Sequence, residues 1–233
     1  MPASQDFTDL VPESFVFFRP RDIVSGDFYW VSKVENKLII SAADCTGHGV
    51  PGAFMSMLGV AFLNEIVNKD HIVKPDIILG KLREKVIEAL QQQGISGEAK
   101  DGMDIVVISV DYIEMKLNYA GAYNPLLMVR NTQLSEIAAD KMPIAIYERM
   151  KEFTNHEIKI KKGDLFYFFS DGYEDQFGGP EGKKFKGKKF RELLVEISSR
   201  PMKEQKEIIE STFIKWKGDQ DQVDDIVVLG VRI

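Results

Sequence analysis

The chain has 233 residues, 44% of them hydrophobic and 28% charged, with a formal net charge of −6. That supplies one substantial core, while the acidic balance excludes the basic face needed for nonspecific nucleic-acid binding. A single cysteine, Cys45, excludes an internal disulfide and fits a reducing, cytoplasmic setting.

Residues 1–13 are polar and lack a basic-plus-apolar leader pattern. They read as a linker or chain end, so the domain is expected over 14–233, downstream of a sensor domain or regulator. No run reaches the roughly 18 apolar residues of a membrane span, because the longest, Ala53–Leu63, is short and holds Ser56 and Gly59. Direct membrane insertion is therefore not expected.

Ser14–Arg19 alternates as an edge strand ended by Pro20. Ile23–Ser32 carries β-branched and aromatic residues, and Glu35-Asn36 turns it into the strand Lys37–Ala43. Asp27 and Asp44 thus fall on adjacent antiparallel strands. Asp44-Cys45-Thr46-Gly47-His48-Gly49-Val50-Pro51-Gly52 then forms a glycine-rich turn into a helix Pro51–Asn68, apolar on nearly all sides and so expected to be buried between layers. A second helix starts near Pro75, with Leu79, Leu82, Val86 and Leu90 as its apolar stripe. Residues 91–102 read as a loop.

From Met103 the period is that of strands: Ile105–Val110, Lys116–Ala120, Leu126–Arg130 and Gln133–Ile137 form a meander, followed by Phe153–Ile160 and Leu165–Ser170. The last of these delivers Asp171. A loop from Gln176 to Lys189, two helices (Phe190–Ser199 and Lys203–Trp216), a polar turn ending in Asp224-Asp225 and a strand Ile226–Val231 complete the chain. Helices segregated in pairs around antiparallel strands predict an α+β fold, a four-layer α-β-β-α sandwich.

Asp44 and Asp171 end buried strands, Asp224-Asp225 begins one, and Asp27 lies beside Asp44. If the sandwich gathers these ends at one edge, the carboxylates repel and call for a cation. Oxygen ligands alone select Mg²⁺, Mn²⁺ or Ca²⁺. The three histidines, His48, His71 and His156, have no zinc-like spacing.

Ser25-Gly26-Asp27-Phe28-Tyr29-Trp30, the Asp44–Pro51 turn, Ala120-Gly121-Ala122-Tyr123-Asn124-Pro125, Gly163-Asp164 through Ser170-Asp171-Gly172, and Asp224-Asp225-Ile226-Val227 occur together in this order. In these motifs the chain resembles the metal-dependent (type 2C) serine/threonine phosphatases and, within them, the bacterial SpoIIE/RsbU branch that regulates sigma factors. The resemblance covers about residues 14–233.

It implies two ions, Mn²⁺ or Mg²⁺, at one edge of the sandwich. Asp44 would bridge them, Asp27 and the Cys45 carbonyl would complete one, and Asp171 and Asp224 would hold the other, with Asp225 as the substitute if the last motif is shifted by one. A water activated there would hydrolyse phosphoserine or phosphothreonine, with an anti-anti-sigma-like signalling protein as the phosphorylated substrate. The chain departs from the pattern at Trp30, where an acid is common, at Cys45-Thr46, and at Ala122-Tyr123-Asn124, where Gly-His is usual. His48 is a candidate acid for the leaving serine oxygen or a partner within its own turn. Arg19 and Arg21 are the nearest candidates for a phosphate-binding arginine. The basic stretch Lys183–Arg191 reads as a solvated loop or as a flap over an acidic partner. A catalytically silent scaffold and a small-phosphoester hydrolase are the competing functions.

Overall fold

Runs rich in Val, Ile and Phe favour extended backbone, and they form the strands of the computed structural model, which describes residues 4–95 and 101–233. One antiparallel sheet is ordered β1 (Ser14–Arg19), β12 (Ile226–Arg232), β9 (Leu165–Phe169), β6 (Leu126–Arg130), β7 (Gln133–Ile137). The other is ordered β2 (Phe28–Val34), β3 (Lys37–Cys45), β4 (Met103–Asp111), β5 (Lys116–Ala122), β8 (His156–Lys159). A separate small hairpin pairs β10 (Phe177–Gly178) with β11 (Lys183–Lys184).

Side chains alternate across each strand, and both faces of both sheets are covered. Ile40, Val106 and Ile108 meet Phe166, Phe168 and Leu229 between the sheets. Their neighbours Ile39, Ile105 and Val107 point the other way, toward α2 (Gly49–Leu63) and α3 (Pro75–Ala89). Tyr167 and Val228 pack against α5 (Gly187–Ile197) and α6 (Met202–Lys217). This is the expected four-layer sandwich.

Several local expectations change. Residues 1–13 are not all linker: Ser4–Leu10 form α1, and Phe7 and Val11 are buried in the layer between the sheets. The Phe7 ring meets Tyr29 edge-on at 5.8 Å. Both β1 and β2 are edge strands, so the sandwich would otherwise be open on that side. The expected meander is split, because β4 and β5 belong to one sheet and β6 and β7 to the other. The chain crosses between layers at Tyr123-Asn124-Pro125. Residues 96–100, inside the expected loop 91–102, lie outside the described residues.

The helix after the glycine-rich turn is not buried all round. Gly52, Met55, Ser56, Gly59 and Leu63 are buried, one stripe at helical spacing. Val50, Phe54 and Met57 are 77%, 60% and 70% exposed. α2 runs on into a π turn, Asn64–Lys69. The whole stretch Gly49–Lys69 has 21 residues and contains an 18-residue window of mean hydropathy 1.5, enough by length and composition to cross a membrane. That corrects the exclusion made on run length, although here the stretch packs as a layer of the sandwich.

Replacing Phe7 with alanine opens the side closed by α1. Phe7→Ala should cost about 3 kcal/mol in urea unfolding, the scale of a buried aromatic truncation. A change indistinguishable from zero would show that α1 does not seal the core.

Candidate metal centre

The register of the second sheet builds the site. β2 pairs with β3 as far as Phe28↔Ala43, so Asp27 and Asp44 face each other one step further on. β3 pairs with β4 through Asp44↔Asp104. From the other sheet, Ser170 and Asp171 follow the end of β9, and Asp224 and Asp225 precede β12. Asp171 leads into the short helix α4 (Gly172–Asp175). All these strand ends lie at one edge of the sandwich.

Close backbone approach makes this packing possible. A Cβ on Gly52 would stand 2.2 Å from the Gly47 carbonyl oxygen, and one on Gly26 would stand 2.5 Å from the same atom. Only glycine lets the Asp27 loop, the turn after Cys45 and the start of α2 touch.

Asp27 is 3% exposed and accepts a hydrogen bond from Ser170 Oγ at 2.5 Å. Asp225 is also buried. Its two carboxylate oxygens accept the backbone N–H groups of Arg21 and Gly26, each at 2.8 Å, so it clamps the loop that carries Asp27. Asp224 Oδ1 accepts the Asp225 N–H at 2.8 Å. Cys45 is a buried free thiol, and burial first, then the neighbouring carboxylates, push its pKa well up. It is no thiolate nucleophile.

The acids perturb one another. Burial, and next Asp44, raise the Asp27 carboxyl well above its ordinary range. Burial, then Asp171 and Asp224, bring Asp44 up to about 8. Asp104 rises to about 6 through burial and Asp171. Asp171 is raised by burial, then by Asp175 and Asp224. Among the described residues, no three Asp, Glu, His or Cys side chains close into a finished cage. The donor set nevertheless fits a hard cation: it is all oxygen, and burial and like charge already weigh against its ionised acids. An ion such as Mg²⁺ keeps several waters and needs few carboxylates.

A cleft of about 190 Å³ opens over these groups, lined by Asp44, Asp104, Tyr123, Asn124, Asp171 and Arg191 among others. A roomier cavity of about 760 Å³ lies at the opposite end of β1, beside Ser14, Met202 and Lys206.

The family model described as Stage II sporulation protein E (SpoIIE) matches residues 35–233. The chain belongs to the SpoIIE family. A solved SiaA-PP2C domain of Pseudomonas aeruginosa is 30% identical, with 98% of this chain and 89% of that one covered and a TM-score of 0.88. The SpoIIE phosphatase domain with a regulatory fragment from Bacillus subtilis aligns over 95% of this chain and 63% of its own, at 18% identity and TM-score 0.75. The RsbU and RsbW domains of a Mycobacterium tuberculosis protein align over 95% and 60%, at 19% identity and TM-score 0.73. No curated protein sequence matches the chain. Membership of this SpoIIE group makes the chain a phosphoprotein phosphatase domain of the metal-dependent PP2C type.

Within this SpoIIE domain, the strand ends bring Asp27, Asp44, Cys45, Asp171, Asp224 and Asp225 to one edge. His48 does not line the cleft. Its Nδ1 is 3.1 Å from Asp22 Oδ2 and both side chains are about half exposed. Arg19 donates to Gln222 Oε1 at 2.9 Å, and Arg21 donates to the Val223 carbonyl at 3.0 Å; neither lines the cleft. Arg191 does, with Nη1 bonded to Glu174 at 2.9 Å and Nη2 to Glu136 at 2.7 Å. The basic stretch is thus not a free loop. Lys184 pairs with Asp175 and Lys189 sits 4.1 Å above the Trp216 ring.

Asp104 was missed by sequence reasoning. The signal was present, since it is the one acid between Gly102 and Asp111 in an otherwise apolar strand.

The raised carboxyls set a pH dependence. A carboxyl whose folded pKa is raised destabilises the fold at pH above that value, and the penalty fades as pH falls toward its unfolded pKa. Metal-free protein should therefore melt higher at about pH 5 than at about pH 8, and Mn²⁺ should restore the loss at the higher pH. A flat thermal-shift profile without metal would mean that the acids do not share a dry site.

Proposed function

We propose that the domain hydrolyses phosphoserine or phosphothreonine on a signalling protein of the anti-anti-sigma type, using two divalent ions, Mn²⁺ or Mg²⁺. What carries this reading is the meeting of Asp27, Asp44, Asp171 and Asp224 at one edge of the sandwich, where, on top of burial, Asp44 and Asp224 raise Asp27, and Asp171 and Asp224 raise Asp44. When bound, such ions supply an activated water and positive charge for the transferring phosphoryl group. Asp44 lies centrally, beside acids of both sheets, and suits a shared ligand. Asp27 and the Cys45 carbonyl suit one ion, and Asp171 and Asp224 the other. Asp225 acts as the clamp on residues 21–26, because both its oxygens already accept backbone N–H groups.

The remaining chain serves positioning. The sheets hold the floor dry, Ser170 orients Asp27, and Arg191 fixes Glu174 at the rim. The RsbU-type neighbour supports a substrate in a sigma-factor circuit, set by an upstream sensor domain or partner, and a cytoplasmic site of action.

Chelator should abolish hydrolysis of a phosphoseryl peptide, and Mn²⁺ or Mg²⁺ should restore it. Asp44→Asn should lower turnover by more than about 100-fold, beyond the loss of an outer-shell partner, and raise the melting temperature of metal-free protein by relieving repulsion. Near-normal turnover of the variant at saturating Mn²⁺ would remove Asp44 from the bridging role.

A further inference from the structure

Tyr123 stands at the point where the chain crosses from β5 to β6. Its φ is +53°, left-handed backbone that a bulky side chain rarely adopts. The surrounding structure over-determines this conformation. Tyr123 N–H donates to the Asp140 carbonyl at 2.9 Å, and Asn124 Nδ2 donates to the Phe169 carbonyl at 2.7 Å. Tyr119 Oη donates to the Asn124 carbonyl at 2.9 Å. The outcome is a ring that is 40% exposed yet lines the cleft with Asp44, Asp104 and Asp171. Its hydroxyl is 2.7 Å from that of Tyr147, whose ring packs on the core beneath α3. Either hydroxyl can donate in this pair, and with Tyr147 as the donor the Tyr123 O–H is left for a third partner.

An in-line displacement separates the attacking water from the leaving oxygen by the full width of the phosphoryl group. Asp44 and Asp104 are the half-buried acids of the lining, and the water belongs with them. The oxygen that joins phosphorus to the substrate protein then faces the mouth. The other donors of the lining are engaged: Arg191 with Glu136 and Glu174, Asn124 with the Phe169 carbonyl and Ser170 with Asp27, while His48 is bonded to Asp22 outside the cleft.

We propose that Tyr123, steadied by Tyr147, donates a hydrogen bond to the leaving seryl oxygen and stabilises the charge that grows there. This rests on the phosphatase reading above. It concerns a catalytic residue that replaces the role first considered for His48.

Tyr123→Phe, loaded with Mn²⁺, tests it on a phosphoseryl peptide and on aryl phosphates of rising leaving-group basicity. The loss should grow with basicity, from slight on p-nitrophenyl phosphate to about 10- to 100-fold on the peptide, within or below the scale of one lost oxyanion donor. Retained turnover of the aryl ester shows that the variant folds. Tyr147→Phe should follow the same trend with a smaller loss. Calorimetry adds a readout without turnover: a peptide with CH₂ in place of the bridging oxygen should bind parent and variant with equal affinity. An equal loss on every ester, or weaker binding of that analogue, overturns the assignment and leaves the phosphatase reading intact. If the unaltered chain shows no metal-dependent hydrolysis of either substrate, both readings fall.

Discussion

Asp27, Asp44, Asp104 and Asp171 stand close enough at one edge of the sandwich to push one another's carboxyls upward. A loop surface would relax and separate them. Here they cannot separate, because each is fixed at or beside a strand end at the edge of two packed sheets. Like charges held close together and partly shielded from water raise their own pKa values or gather a cation. The stability of the rest of the molecule therefore includes a local cost, and that cost is the driving force for binding metal.

Asp225 shows how the strain is contained. It is as buried as Asp27, yet its oxygens are saturated by two backbone N–H groups from the loop 21–26. One acid of the adjacent pair Asp224-Asp225 thus acts as mortar for the loop bearing Asp27. The other, Asp224, acts on Asp44 and Asp171 through its charge. Glycine complements this clamp by leaving room, since at Gly26 and Gly52 any side chain would collide with the Gly47 carbonyl and push Asp27 away from Asp44.

Much of this could be read from the residues. Asp44 stood out because an apolar run delivers it, and Asp27 followed from the hairpin between them. The layer order followed from paired helices on either side of strands. What could not be read depends on pairings made far along the chain. Asp104 is a lone acid in an apolar strand, which marks it as unusual, but only the β3–β4 register places it against Asp44. The switch of sheets at Asn124-Pro125 is invisible in a strand period that continues unchanged on both sides. α2 misled through composition, for its exposed Phe54 and Met57 are as apolar as its buried Met55 and Leu63. Residues 4–10 misled in the opposite sense: a polar segment holds a single deeply buried ring, Phe7.

The two sides of the cleft meet different demands. A floor that gathers cations has to be rigid and shielded from bulk water, so it is built from strand ends. A mouth that admits a protein side chain has to be open, so it is built from turns and helix starts, where Tyr123, Asn124 and Arg191 sit. Openness ordinarily brings mobility, and mobility would blur any donor placed there. The crossover at Tyr123 resolves the conflict by spending backbone strain: the left-handed residue is pinned from β9, from Asp140 and from Tyr119 at once. A side chain so fixed can be exposed and still be positioned, which is the property that a donor at the mouth of this cleft requires.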